Sequence, residues 1–141
     1  MTLTADQQAQ LMAAIRQAER DTSGEIRVHL EEQCPEGDPI KRAIAVFQHL
    51  GMHQTKEQNG VLFYVAYGDR KFAVVGDTGI NTKVPANFWD STKSLMRQHF
   101  AANDLVTGLS LGVEQAGQQL KQYFPCAPDD VNELPDDISF G

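Results

Sequence analysis

The segment most restrictive for the fold is Val61–Tyr67, which reads Val-Leu-Phe-Tyr-Val-Ala-Tyr without a single charge. An apolar run of that length, bounded by Asn59-Gly60 and Gly68-Asp69, is too short for a helix of its own. It reads as a central strand covered on both faces. Residues Glu25–Glu31 supply a second strand of a different kind. There Ile26, Val28 and Leu30 alternate with Glu25, Arg27, His29 and Glu31, which predicts one buried and one more polar face. Between the two strands, Asp38-Pro39 reads as an N-cap and first helical residue. Ile40, Ala43, Ile44, Phe47 and Leu50 are spaced to line one face of that helix, and Gly51 reads as its stop. A strand, a helix and a strand in succession form a right-handed crossover, so the two strands are predicted to be parallel.

The remaining elements build on that unit. Thr4-Ala5-Asp6-Gln7 is a capping box, opening a helix that runs to about Asp21 with Leu11, Ile15 and Ala18 in its apolar stripe. Gly68-Asp69 turns the chain into a third strand, Lys71–Val75, antiparallel to the second. Gly76–Gly79 is expected to be a loop, and Pro85 to open a helix carrying Phe88, Trp89, Thr92, Leu95, Met96 and Phe100. A last helix is expected from about Asp104 to Tyr123, with Gly112 and Gly117 allowing close packing. The order α-β-α-β-β-α-α predicts an α/β chain, a small mixed sheet with helices on both faces. Residues 1–125 are expected to form one domain, followed by an acidic tail over 126–141 that holds Asp129, Asp130, Glu133, Asp136 and Asp137.

Charge narrows the partners. The chain has 19 acidic and 12 basic side chains, a net charge of −7, which disfavours phosphate backbones and anionic membranes. No nucleic-acid partner and no membrane insertion are expected, because no stretch approaches the ~20 apolar residues of a span. Met1–Arg20 lacks the charged start and apolar run of a signal peptide, so a cytoplasmic location is expected, with Cys34 and Cys126 reduced. Their spacing matches no zinc motif and fixes no disulfide. A monomer is expected.

The predicted topology gathers three polar loops. The beginnings of strands one and two lie at the same sheet end as the finish of strand three. That end collects Thr22-Ser23-Gly24-Glu25, Asn59-Gly60 and Gly76-Asp77-Thr78-Gly79, with Asp90 able to lie over the same edge. Carboxylates, an amide and hydroxyls suit a hard cation such as calcium or magnesium, which takes oxygen ligands. The candidate metal residues are therefore Glu25, Asp77 and Asp90, with Thr22, Ser23, Asn59 and Thr78 as polar neighbours. The same residues also fit a structural role, with Asp77 capping a turn and Glu25 a solvated strand end. No nucleophile–base pair is recognisable, and His29, His49, His53 and His99 share no ligand spacing.

Thr-Ser-Gly-Glu-Ile-Arg-Val-His at 22–29, Thr55 with Asn-Gly-Val-Leu at 59–62, and Gly-Asp-Thr-Gly-Ile at 76–80 together resemble the TPM domain. That family is named for a thylakoid-lumen phosphatase-like protein, a photosystem II repair protein and a modulator of acetylcholine receptors. The similarity continues through Val84-Pro85, Phe88-Trp89, Phe100, Gly108-Leu109, Tyr123–Pro125 and Asn132–Pro135, and resembles short soluble bacterial members. It implies a three-layer α/β/α sandwich, a bound divalent cation (calcium first), and a phosphatase label. On the family's motifs Glu25 and Asp77 match the acidic points. Two functions follow from that resemblance. One is a cation-binding interaction or assembly module with a protein partner. The other is a metal-dependent phosphatase acting on phosphomonoesters, for which Arg27 at the neighbouring strand position and Lys83 in the nearby loop form no clear clamp. The first is the preferred expectation.

Overall fold

Helix α1 (Ala5–Asp21) starts where the capping box places it. The Gln7 amide donates to Thr4 Oγ1 at 3.1 Å, and the Thr4 amide donates to Gln7 Oε1 at 2.9 Å. The computed structural model describes residues 3–126 and 138–141. After α1 come β1 (Glu25–Glu31), α2 (Pro39–His49), β2 (Gly60–Ala66) and β3 (Lys71–Gly76). These are followed by α3 (Thr78–Asn81), α4 (Asp90–Ala101), α5 (Leu105–Leu120) and β4 (Ile138–Phe140). The sheet order is β3-β2-β1-β4. β1 runs parallel to β2 with Glu25 opposite Gly60, and β3 runs antiparallel to β2 with Val61 opposite Gly76. The crossover and hairpin read from the sequence are thus present, in a three-layer α/β/α arrangement.

One sheet face carries Ile26, Val28, Leu30, Val61, Phe63, Val65 and Val74, packed against α1 and α5 through Leu11, Ile15, Leu109, Val113 and Leu120. Each such side chain contributes roughly 1.5–3 kcal/mol on full burial. The other face carries Leu62, Tyr64, Ala66 and Ala73, covered by Ala43, Val46 and Phe47 of α2. Gly117 lets α5 approach α1, since a Cβ there would lie 2.7 Å from Ala18 Cα. Among the described residues no helix is long and apolar enough to cross a membrane.

Several expectations need correction. All seven residues of β1 are buried, because its polar face is covered rather than solvated. α2 presents Ala43, Val46 and Phe47 inward while Ile40 and Ile44 stay 56% and 47% exposed. The expected Ile40–Ile44 stripe is therefore off by part of a turn, since α2 rides over β2 and β3. Asp77 starts a helical turn, α3, where a loop was expected. α4 begins at Asp90 rather than Pro85, because the Phe88 amide bonds Pro85 O and the Asp90 amide bonds Asn87 O in successive turns. The last helix stops at Leu120 and continues to Tyr123 only as turns. Residues 138–140 form a fourth strand, parallel to β1, that the sequence pattern did not indicate. Asp129, Asp130, Glu133, Asp136 and Asp137 lie outside the described residues.

Candidate functional site

The parallel pairing of β1 and β2, with β3 returning, brings the three loops to one sheet end. Backbone hydrogen bonds join them there. The Glu25 amide donates to Asn59 O at 3.2 Å, the Asp77 amide to Gly60 O at 2.9 Å, and the Gly79 amide to Gln58 O at 2.9 Å. Gly79 permits this approach, because a Cβ at that position would lie 2.2 Å from Glu57 O. Thr55, buried at the base of the loop, accepts the Asn59 amide through Oγ1 at 3.3 Å.

Within that frame one side-chain cluster forms. Ser23 Oγ donates to Glu57 Oε2 at 3.1 Å. Asn59 Nδ2 donates to Ser23 Oγ at 3.3 Å and to Glu57 Oε2 at 3.2 Å. Asn59 is only 2% exposed while Glu57 faces solvent, so the cluster has a fixed floor and an open mouth. Glu57 is the residue that sequence reasoning missed. It lies two positions before Asn59 in a polar stretch without periodicity, and only its nearness to the named loop marked it.

The other expected residues are placed differently. Thr22 donates its hydroxyl to Phe124 O and accepts the Gly24 amide at 3.1 Å, so it ties the α1 end to the chain after α5. Asp77 Oδ1 caps α3 through the Thr78 amide at 2.7 Å and the Thr78 hydroxyl at 3.1 Å. Its Oδ2 is buried and accepts no hydrogen bond among the described residues. Glu25 lies buried on the α2 face of β1. Asp90 is an exposed first residue of α4, and nothing joins it to the three loops. Among the described residues no group of three His, Cys, Asp or Glu side chains is placed to hold a metal ion, although Glu25 and Asp77 sit on either side of Gly60 at the same sheet end. Asp77 and Thr78 instead line a groove of about 460 Å³ with Phe47, His53 and Val75, beside the exposed Ile44.

A second polar cluster lies on the α2 face. Glu31, 6% exposed, accepts Arg42 Nε at 2.8 Å, Arg42 Nη2 at 3.0 Å and the Tyr64 hydroxyl. Burial pushes the Glu31 carboxyl up, but the Arg42 and Tyr64 hydrogen bonds, with the Arg42 charge, outweigh it and hold the carboxyl below its ordinary range. Burial raises the Tyr64 phenol, and its bond to Glu31 adds to that. His29 Nδ1 bonds Ser139 Oγ at 2.7 Å, and its Nε2 lies 3.8 Å from Glu31 Oε1. Burial lowers the His29 pKa, the Glu31 charge opposes this, and Arg42 and Arg27 reinforce it. His29 is therefore neutral at pH 7 and orients β4. Cys34 is buried, Cys126 is exposed, and the two are not bonded to each other.

Lys56 neighbours Glu57 in the loop itself and is exposed. Arg27 is buried on the α2 face, and Lys83 Nζ stands 4.6 Å over the Phe124 ring.

Comparison with known proteins agrees with this architecture. The family model of the TPM domain matches residues 1–119. The BA42 protein of the psychrophilic bacterium Bizionia argentinensis, solved by NMR, is 48% identical with a TM-score of 0.94, covering 100% of this chain and 97% of that one. The N-terminal domain of cg2496 from Corynebacterium glutamicum shares the fold at 14% identity and a TM-score of 0.67, covering 97% of this chain and 80% of that one. No curated protein matches. With the family model spanning most of its length and a close structural relative covering all of it, the chain belongs to the TPM domain family.

Proposed function

We propose that this chain is a divalent-cation-binding interaction module whose cation site is the Ser23–Glu57–Asn59 cluster. The observation that carries this reading is the convergence of a carboxylate, a hydroxyl and a buried amide within 3.1–3.3 Å at an open loop mouth. With Asn59 Oδ1 and Nδ2 exchanged, the three side chains offer three oxygens, the donor set of a hard cation. The residues present therefore fit calcium or magnesium, with Glu57 as the single charged ligand and water completing the shell. One carboxylate implies weak affinity, in the range ~10⁻⁴–10⁻³ M. Such a cation would supply positive charge at an otherwise acidic surface of net charge −7.

The motif residues act in this reading by holding the loop. Asp77 caps α3, α3 carries Gly79, and Gly79 pins the Glu57–Gln58 backbone. The groove beside Asp77, bordered by Ile44, supports a protein partner as the second ligand. The phosphatase alternative needs cationic groups around a phosphoryl oxygen. Arg27 is buried and Lys83 stands over Phe124, which leaves Lys56, beside Glu57, as the exposed cation of the loop.

The test is a calcium and magnesium titration of metal-stripped protein, followed by amide and Asn side-chain NMR. Saturable shifts over residues 22–25, 57–60 and 76–79, weakened in Glu57→Gln, support the site. No response at millimolar cation overturns it. Turnover of a phosphomonoester by the loaded protein, lost in Glu57→Gln, would replace the module with the enzyme.

A further inference from the structure

At the opposite end of the sheet, where β2 turns into β3, a cleft of about 530 Å³ opens between the hairpin and the junction of α4 with α5. That volume lies inside the usual range for small-molecule sites, roughly 300–1,000 Å³. Its floor and walls include Tyr67, Phe72, Phe100 and Leu105, all half-buried and packed on the main core without closing over it. Phe72 and Phe100 meet edge to face at 5.2 Å and 89°.

The rim is cationic. Arg70 and Arg97 line the cleft, and none of the described lining residues is acidic. Lys71 also borders it, but its ammonium donates to Gly37 O at 2.7 Å on the other side of the sheet. Arg97 lies 5.5 Å from the Phe72 ring centroid. Neither Arg70 nor Arg97 pairs with a carboxylate among the described residues, in a chain whose acidic side chains outnumber its basic ones. Arg70 is held at the turn in a left-handed conformation, φ 56°, which fixes where its side chain departs.

Two guanidinium forks above an open aromatic floor match one ligand shape. A guanidinium offers paired donors to the oxygens of a phosphate or carboxylate. Half-buried rings provide stacking area for a flat apolar body. We propose that this cleft binds a planar aromatic molecule carrying an oxyanion, with Arg70 and Arg97 on the anion and Phe72 and Phe100 on the ring. The site is independent of the cation cluster, which sits at the other sheet end. A solvent-facing cation–π contact of Arg97 on Phe72 would account for that pair alone, and predicts no ligand.

The experiment is an amide NMR titration with 1-naphthyl phosphate and, separately, 1-naphthoate. 1-Naphthol, which lacks the anion, and inorganic phosphate, which lacks the ring, are the controls. Saturable shifts are expected at residues 70–72 and 97–105 with either or both anionic aromatics, and binding at least about tenfold weaker with each control. Response to both probes assigns a general oxyanion site, and response to the phosphate alone a phosphate ester site. Arg70→Gln and Arg97→Gln are exposed changes expected to keep the native melting temperature while weakening binding about tenfold each. The proposal is overturned by no saturable shift at millimolar probe, by shifts unchanged in the double variant, or by 1-naphthol binding as tightly as the phosphate.

Discussion

Replacing Arg42 with Met tests whether the polar face of β1 is held by its α2 partner. Arg42 makes two charged hydrogen bonds to Glu31, at 2.8 and 3.0 Å. The Glu31 side chain is 7% exposed and that of Arg42 32%, so the carboxylate loses its compensation inside the protein while the cation is partly wet. Hydrogen bonds to charged groups contribute roughly 1.5–3 kcal/mol, and breaking a fully buried pair costs about 3–5 kcal/mol. Partial exposure of Arg42 places the expected loss near the lower figures, about 2–3 kcal/mol. Met keeps much of the apolar stem, so little of this is packing. The melting temperature should fall by roughly 6–15 °C for a chain of this size. Urea unfolding of the wild type, Arg42→Met, Glu31→Gln and the double variant measures the coupling, expected at about 2 kcal/mol. The pH dependence carries the sign. The Glu31 carboxyl is depressed in the folded state, so its stabilisation is complete above its ordinary value of 4.5 and is lost as pH falls through the lower folded value. The cost of Arg42→Met should shrink over that acid range. A coupling below about 0.5 kcal/mol, or a cost unchanged by acid, would refute the account of a charge-paired interior.

Two further outcomes follow from the packing and the buried imidazole. His29 should titrate below its ordinary value of 6.5 by NMR, and stability should fall as pH drops below 6.5 and level off below the folded value, an effect absent in His29→Gln. A normal His29 titration would show that burial does not govern it. Gly117→Ala places a Cβ 2.7 Å from Ala18 Cα and 2.9 Å from Ala18 O, both backbone, and should destabilise by about 1–3 kcal/mol despite better helix propensity. Gly112→Ala clashes with Met96 Cγ and Sδ, at 2.8 and 2.9 Å, and touches Phe63 Cε2 at an ordinary 3.5 Å, so it should cost less because the Met96 side chain can move. Equal losses in chemical denaturation would contradict this reading of the two helix contacts.

Much of the frame was legible because it rests on local chemistry. The Thr4–Gln7 box, the Asp38 cap and the uncharged Val61–Tyr67 run each specify their element without help from distant residues. Chain order then fixed which loops meet. The failures share one cause, a distant partner deciding the outcome. Alternation in β1 reads as a wet face until Arg42, Tyr64 and Ser139 are known to stand against Glu31 and His29. β4 has three residues, too few for a pattern, and exists only by pairing with Val28–Leu30. At the candidate site, loop convergence pointed to Ser23 and Asn59, but it did not say that Glu57 would reach them while Asp90 would not. The Arg70–Arg97 cleft left no trace at all, since its two cations lie on separate elements with no shared spacing.

The seat of β4 also bears on the order of folding. Its register joins His29 to Ser139, two positions far apart in the chain, through a pairing only three residues long. Closing so long a loop costs entropy that three ladder residues recover only once β1 is already held flat by β2. The strand is therefore expected to dock last and open first. Its amides should exchange fast under native conditions, and those of β1 and β2 only with the whole-molecule transition.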